Sequence, residues 1–221
     1  IWRDLKDQLE KKQRERIQNR YGMSILPESQ TKALEKILCV ENHRACHLHF
    51  TRGEFDAGGL VKASAPGELK AALNQREKNK ACYKENIARN SNTIEKLTNV
   101  IRNAMLLAIE AARFGTKAGN LVAGKVWRNL YLYDDKVFQK KVVDDTGNLS
   151  VDILLDASGS QIDRQELIAT EGFIIAESLT RCRIPVKVYS FCASKNFTII
   201  NLFRDYDEVY KNEVIFHYHS S

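Results

Sequence analysis

The chain has 221 residues, 43% hydrophobic and 28% charged, which is enough apolar material to bury a core and leaves room for one large domain or two small ones. No apolar run approaches the roughly 18 to 20 residues of a membrane span, and the charged N-terminus is unlike a secretory signal, so the expectation is a cytoplasmic protein with no membrane span. The formal charge of +6 invites a nucleic-acid partner, and where that charge lies matters more than its sum. Cys39, Cys46, Cys82, Cys182 and Cys192 are odd in number and scattered, which argues for reduced thiols rather than a disulfide framework. Ile1 is not a start methionine, so the chain is expected to be a piece of a longer protein.

Residues 2–20 carry more Lys and Arg than Asp and Glu, with few apolar positions beyond Trp2, Leu5, Leu9 and Ile17. This predicts a mostly solvated helix, with a basic arm for an acidic partner as the alternative. Gly22 ends it, since glycine suits the position after a helix C-terminus. Pro27 and Glu28 then open a short helix whose apolar face is Leu34, Ile37 and Leu38. Cys39, His43, Cys46, His47 and His49 form the densest set of soft and imidazole donors in the chain. They lack paired zinc-ligand spacing, and His47 and His49 alternate as strand neighbours do, so both a metal site and a structural polar cluster stand open.

Residues 56–67, with Gly58, Gly59, Ser64, Pro66 and Gly67, have a loop's composition. From residue 68 to about 118 the sequence favours helix, with Leu69, Leu73, Cys82, Ile87, Ile94, Leu97, Ile101, Met105, Leu106 and Ile109 as an apolar stripe. A break is expected at residues 90–93, with Asn92 or Thr93 as cap, giving a second helix over 94–114 that Gly115 and Gly119 stop. Residues 126–133 alternate large and polar groups and predict an extended or hairpin segment. A turn at 144–148 marks the expected boundary between a mainly helical region, 1–149, and a second domain, 150–221.

That second region opens on an apolar run, Val151 to Leu155, ending in Asp156-Ala157-Ser158-Gly159-Ser160. It predicts a buried strand feeding a loop where Asp156, Ser158 and Ser160 offer a carboxylate and two neutral hydroxyls, the oxygen donors Mg²⁺ accepts, with Gly159 allowing a tight turn. Asp163 and Glu166 then have the spacing of a capping box. The helix that follows, with Leu167, Ile168, Phe173, Ile174, Ile175, Ala176, Leu179 and Cys182 on its buried side, runs to Pro185. A second strand over 186–191 completes a βαβ unit, which places the Asp156 loop at the carboxyl end of a parallel strand, where open α/β sheets hold ligands. Residues 197–203 predict a third strand, antiparallel because its link is so short.

The D-x-S-x-S run after an apolar strand resembles the metal-ion-dependent adhesion site of von Willebrand factor A domains. Together with Val126-Trp-Arg, Val137-Phe, Arg164-Gln165, Ile184-Pro-Val186, Tyr189-Ser-Phe191 and Phe203-Arg-Asp205-Tyr206, it is similar to the bacterial A-domain proteins called nitric oxide reductase activation proteins, related to a cobaltochelatase subunit, over about residues 39–221. The resemblance implies an α/β fold: a helical N-terminal region followed by a Rossmann-like A domain, truncated at its C-terminal end. It implies Mg²⁺ or Mn²⁺ held by Ser158 and Ser160 directly and by Asp156 directly or through water. A Thr or Asp from a second loop and an Asp from a third would complete the family's site. Those loops are expected beyond Ser221, leaving the ion site of this chain incomplete and its occupancy open.

The family's proteins are implied to act as adaptors with a MoxR-type AAA+ ATPase, activating a protein client or inserting its metal, a partner carboxylate filling the open coordination position. An enzyme is not expected, since no P-loop, no G-x-S-x-G and no nucleophile with an adjacent base appears. The bland alternative for the loop is a strand-to-helix turn whose side chains only cap backbone amides. The competing function is RNA binding by an A domain on a helical scaffold. The sequence shows no aromatic-basic module for it.

Overall fold

The computed structural model describes residues 2–53, 66–111, 113–116, 119–141 and 149–220. In chain order these form α1 (Trp2–Tyr21), α2 (Glu28–Leu38), β1 (His47–Thr51), α3 (Pro66–Glu85), α4 (Ile87–Ala111), β2 (Arg113–Thr116), β3 (Asn120–Leu121), α5 (Val126–Leu132) and β4 (Phe138–Lys141). Then follow β5 (Val151–Asp156), α6 (Gln165–Arg181), β6 (Val186–Ser194) and β7 (Phe197–Arg204), with 3₁₀ turns at Gly159–Arg164 and Asn212–His217. Among the described residues no helix is long and apolar enough to cross a membrane.

The fold is α/β, built on a sheet of order β1-β7-β6-β5. β5 and β6 pair in parallel, from Val151 against Val186 to Asp156 against Phe191. A parallel pair needs a crossover, and α6 supplies it. β7 returns antiparallel to β6, because Lys195 and Asn196 leave room only for a tight hairpin. These three strands and their directions are as the sequence predicts.

β1 pairs in parallel with β7, from His47 against Phe197 to Thr51 against Asn201. The boundary expected between 149 and 150 thus separates β1 from a sheet to which it is hydrogen-bonded. A smaller antiparallel sheet, β2-β4-β3, is formed by the stretch before β5.

Alternation along β6 sends Val186, Val188, Ser190 and Cys192 inward, and small residues on α6, Ala169, Gly172 and Ala176, let that helix lie close over them. A Cβ on Gly172 would come within 3.3 Å of both Leu155 methyl carbons and 3.4 Å of Ile215. Phe173 is braced by Tyr83 and Phe216, with ring centroids 4.9 and 4.8 Å away. α4 packs on α6 as well: the Ser178 hydroxyl donates to the Ile94 carbonyl at 3.4 Å and the Cys182 thiol to that of Thr98 at 3.5 Å. On the outer face Leu154, set between Asp152 and Asp156, is 52% exposed, so β5 buries only the face that carries Val151, Ile153 and Leu155.

α1 is more than a solvated helix, because Ile17 belongs to the core. Its C-terminus is stopped by Gly22 at φ 97°, where a side chain would be strained, and the Thr51 hydroxyl donates to the Tyr21 carbonyl at 3.0 Å. The Glu35 carboxylate on α2 ties three elements: it accepts from Arg14 Nη2 at 3.0 Å and from the Leu48 N–H at 2.8 Å. For that, α2 turns its buried Thr31 and half-buried Glu35 inward and leaves Ile37 and Leu38 outside, 70% and 60% exposed, against the expected apolar face.

Other expectations are corrected too. The helix break falls at Asn86, between α3 and α4, not at residues 90–93. Asn90 is buried and its Nδ2 donates to the Tyr83 carbonyl at 3.0 Å, satisfying a group that the break leaves without a helical partner. Thr93 is mid-helix, its hydroxyl bonded back to Arg89. Gly115 lies in β2 rather than ending a helix. Residues 126–132 are helical, not extended; alternation of large and polar groups is a weak guide to a strand unless a sheet pairs with it. Pro66 and Gly67 open α3, the rest of the expected loop and the turn at 144–148 lying outside the described residues.

Candidate metal centre

β5 delivers Asp156 to the end of the sheet, and the Ala157 N–H donates to the Phe191 carbonyl at 2.8 Å, holding the chain to β6 one residue further. The chain then turns into the 3₁₀ segment before α6. Gly159 keeps a negative φ, so the tight bend comes from the 3₁₀ turn and not from a left-handed glycine. Asp163 lies inside that segment and α6 has no side-chain cap, so the predicted capping box does not form.

The three predicted ligands come together. The Ser158 and Ser160 hydroxyls lie 2.9 Å apart on the exposed side of the loop. Asp156 Oδ1 accepts the Ser158 N–H at 2.9 Å, and Oδ2 accepts Gln161 Nε2 at 3.3 Å. The Ser158 backbone bond is the first cause, with bonds from the Ser158 side chain and Gln161 adding to it, that the Asp156 carboxyl stays below its ordinary range against a small opposing effect of burial. It is therefore an anion throughout the neutral range. The amide-capping alternative is realised in Asp156, whose second lone pairs remain for a cation.

Geometry tests whether these donors suit Mg²⁺. At bond lengths of about 2.0 to 2.1 Å, adjacent oxygens of an octahedron stand roughly 2.9 to 3.0 Å apart. The Ser158 and Ser160 hydroxyls are hydrogen-bonded to each other at 2.9 Å, an ordinary O–H···O distance that is also the length of one such edge, so the pair can turn its oxygens to an ion without moving apart. The donors, a carboxylate and two hydroxyls, are hard oxygens of the kind Mg²⁺ takes. Among the described residues no group of three His, Cys, Asp or Glu is placed to hold a metal; a site that draws two of its donors from serine falls outside such a group.

Residues distant in sequence brace the loop. The buried Tyr218 hydroxyl donates to the Asp156 carbonyl, and burial first, with the Asp156 charge second, pushes that phenol above its ordinary range. Asn79 on α3, fully buried, donates to the carbonyls of Phe216 and Tyr218 at 2.9 and 2.8 Å. Gln165 donates to the Ile162 carbonyl and accepts the Ser220 N–H, 2.9 and 2.8 Å. Sequence reasoning missed Asn79, Gln161 and Tyr218, and gave Gln165 only as part of a resemblance, with no role; an asparagine amid helix formers is the one visible signal.

His219 Nδ1 bonds to the His217 carbonyl at 3.2 Å, and the Ser158 and Ser160 hydroxyls bond to each other. Burial, then Arg76 and Lys80, keep the His217 imidazole below its ordinary range. Among the described residues the cysteines and histidines form no group placed to hold a metal. His47 lies against Phe197, centroids 5.0 Å apart, and against Glu35 at 3.5 Å. His49 is buried and donates to the Gly22 carbonyl at 3.0 Å, and burial holds its pKa down. The Cys39 N–H closes α2 on the Glu35 carbonyl.

Compared with protein-family models, with curated proteins and with solved structures, the chain matches none.

Proposed function

We propose that this chain is a non-catalytic, metal-dependent protein-binding adaptor, in which the Asp156–Ser158–Ser160 loop holds Mg²⁺ or Mn²⁺ and the cation grips a carboxylate of a protein partner. The observation that carries the reading is the pair of adjacent exposed hydroxyls beside a carboxylate kept charged, at the carboxyl end of a parallel strand, where α/β folds bind ligands. When bound, the ion supplies a positive charge with open coordination positions. The chain's own residues fix the donors: Gln161 and the Ser158 amide aim the carboxylate, and Tyr218 pins the strand end.

The resemblance to A-domain activation proteins extends this reading to a partner set, a MoxR-type AAA+ ATPase and a protein client that is activated or given its metal. α3 reaches the loop end of α6, where Gln75 Nε2 donates to Glu166 at 2.8 Å, and Asn79 holds the C-terminal stretch that braces the loop, so a partner seated on the loop would be felt by that helix. The test is capture of the ATPase or client by the intact protein with and without Mg²⁺. Loss of capture on chelation, and in Ser158→Ala/Ser160→Ala, is expected; capture unchanged in that double variant sinks the adaptor reading.

A further inference from the structure

A second opening lies between α1 and α2, with β1 at its base. Its volume is about 580 Å³, inside the range of small-ligand sites, about 300 to 1,000 Å³. Lys11, Arg14, Glu15 and Gln18 fall at i, i+3, i+4 and i+7, so one wall is a single face of α1. Buried Leu48 and His49 form the floor. The Glu35 carboxylate fixes the wall against the floor, because it binds Arg14 and the Leu48 amide at once.

One atom of the floor lacks a partner. His49 is 6% exposed, and its Nε2 must carry the proton because it meets a carbonyl, that of Gly22. Burial keeps the ring neutral, so Nδ1 presents a bare lone pair. No hydrogen bond reaches that atom among the described residues, and it is not sealed off as a buried orphan. It opens on the cleft that the ring lines, and the donor it needs must come from there. The charges above it are of both signs. Lys32 matches Glu28 at 2.7 Å, and Glu35 matches Arg14. Glu10, Lys11 and Glu15 have no such match among the described residues, and Arg14 meets Glu35 through Nη2 alone, which leaves Nε and Nη1 to donate.

We propose that this cleft binds a free α-amino acid, its ammonium donating to His49 Nδ1 in the field of Glu10 and Glu15, and its carboxylate accepting from Lys11 and Arg14. The unmatched wall charges select a zwitterion. A plain anion would meet Glu10 and Glu15, a plain amine would meet Lys11 and the Arg14 guanidinium, and a neutral sugar would strip water from all of them with no charge to return. An α-amino acid sets an N–H donor beside a carboxylate, and the Arg14 charge is felt at His49, so both groups are within reach of one small ligand. The imidazole serves as an acceptor only, which an ammonium satisfies without a proton transfer.

The test is calorimetric titration of the intact chain with each of the common L-amino acids, and with the N-acetyl and amide derivatives of any that bind. Saturable single-site binding of at least one amino acid is expected, lost on acetylation or amidation and weakened on the order of tenfold or more by Lys11→Ala and, separately, by Glu10→Gln/Glu15→Gln. These side chains have no partner within the fold, so both variants should melt with the parent. The ¹⁵N resonance of His49 Nδ1 should move as the ligand saturates, a readout that needs no substitution. Mn²⁺ binding at the Asp156 loop should be the same in both variants, so failure here is separable from failure of the metal site. The proposal is overturned by no saturable binding up to about 5 mM, by blocked derivatives or putrescine binding as tightly as the free amino acid, by variants that bind like the parent, or by a His49 Nδ1 resonance that stays fixed at saturation.

Discussion

The Asp156 loop and the cleft over His49 are made in opposite ways. The loop is contiguous in sequence and its donors are within five residues, but its shape depends on Asn79, Tyr218 and Gln165, buried groups drawn from α3, the C-terminal stretch and α6. The cleft is discontinuous, drawn from α1, α2 and β1, and Lys11 and Glu15 in its wall are exposed. A recognisable motif can thus hang on unrecognisable supports, while an unrecognisable site can stand on simple ones.

Mutations should expose the contrast. The largest effect is expected for Asn79→Leu. It keeps the branched four-atom outline of the side chain but leaves the Phe216 and Tyr218 carbonyls without their donor, at a cost of about 2 to 4 kcal/mol in urea unfolding, and it should loosen the loop 77 residues away in sequence. Lys11→Ala, in the exposed wall of the cleft, should leave the unfolding free energy within about 0.5 kcal/mol of the parent. A comparable loss in both variants would erase the distinction.

Tyr218→Phe is the finer probe. It removes only the hydroxyl that donates to the Asp156 carbonyl and should cost about 1 to 1.5 kcal/mol, with a fall in Mn²⁺ affinity at the loop and none in amino-acid binding at the cleft. Equal affinity for Mn²⁺ would mean that the phenol braces the core and not the site.

What was legible followed from contiguity. The strand, loop, helix and return strands from Val151 to Arg204 were readable because short apolar runs, a short link between the last two strands and the D-x-S-x-S spacing are local properties. β1 was readable as alternation in His47-Leu48-His49, but nothing local says that it pairs with β7. Residues 90–93 looked like a break with Asn92 or Thr93 capping the next helix, because propensity is blind to direction; Asn90 serves the helix before it. The apolar Ile37 and Leu38 pointed to a face that the buried Glu35 overrides, since a carboxylate holding Arg14 and the Leu48 amide fixes the rotation of α2. Polar groups with distant partners decide these cases, and their partners are invisible in a single sequence.

The smallest effect tests whether β1 is an integral strand of the sheet. Glu208, after β7, accepts from Arg52 at the end of β1 at 2.8 Å and from Lys211 at 2.8 Å. The Lys211 bond first, then the Asp205 amide and Arg52, hold its pKa down to about 2. A carboxyl depressed in the folded state contributes stability that is present above its unfolded pKa, near 4.5, and is lost as pH falls toward 2. Glu208→Gln should therefore cost about 1 kcal/mol at pH 7, after allowance for solvent screening, and almost nothing at pH 2. An unchanged slope of stability between those limits would mean the Arg52 link adds nothing to holding β1.

The central claim is that Asp156, Ser158 and Ser160 hold a hard divalent cation, and Mn²⁺ binding followed by electron paramagnetic resonance on the intact chain tests it most directly. One bound ion is expected, displaced by Mg²⁺, abolished by Asp156→Ala and weakened on the order of tenfold or more by Ser158→Ala/Ser160→Ala, with thermal stability of the serine variant retained. Binding that survives all three substitutions, or no binding by the parent at millimolar Mn²⁺, would contradict it.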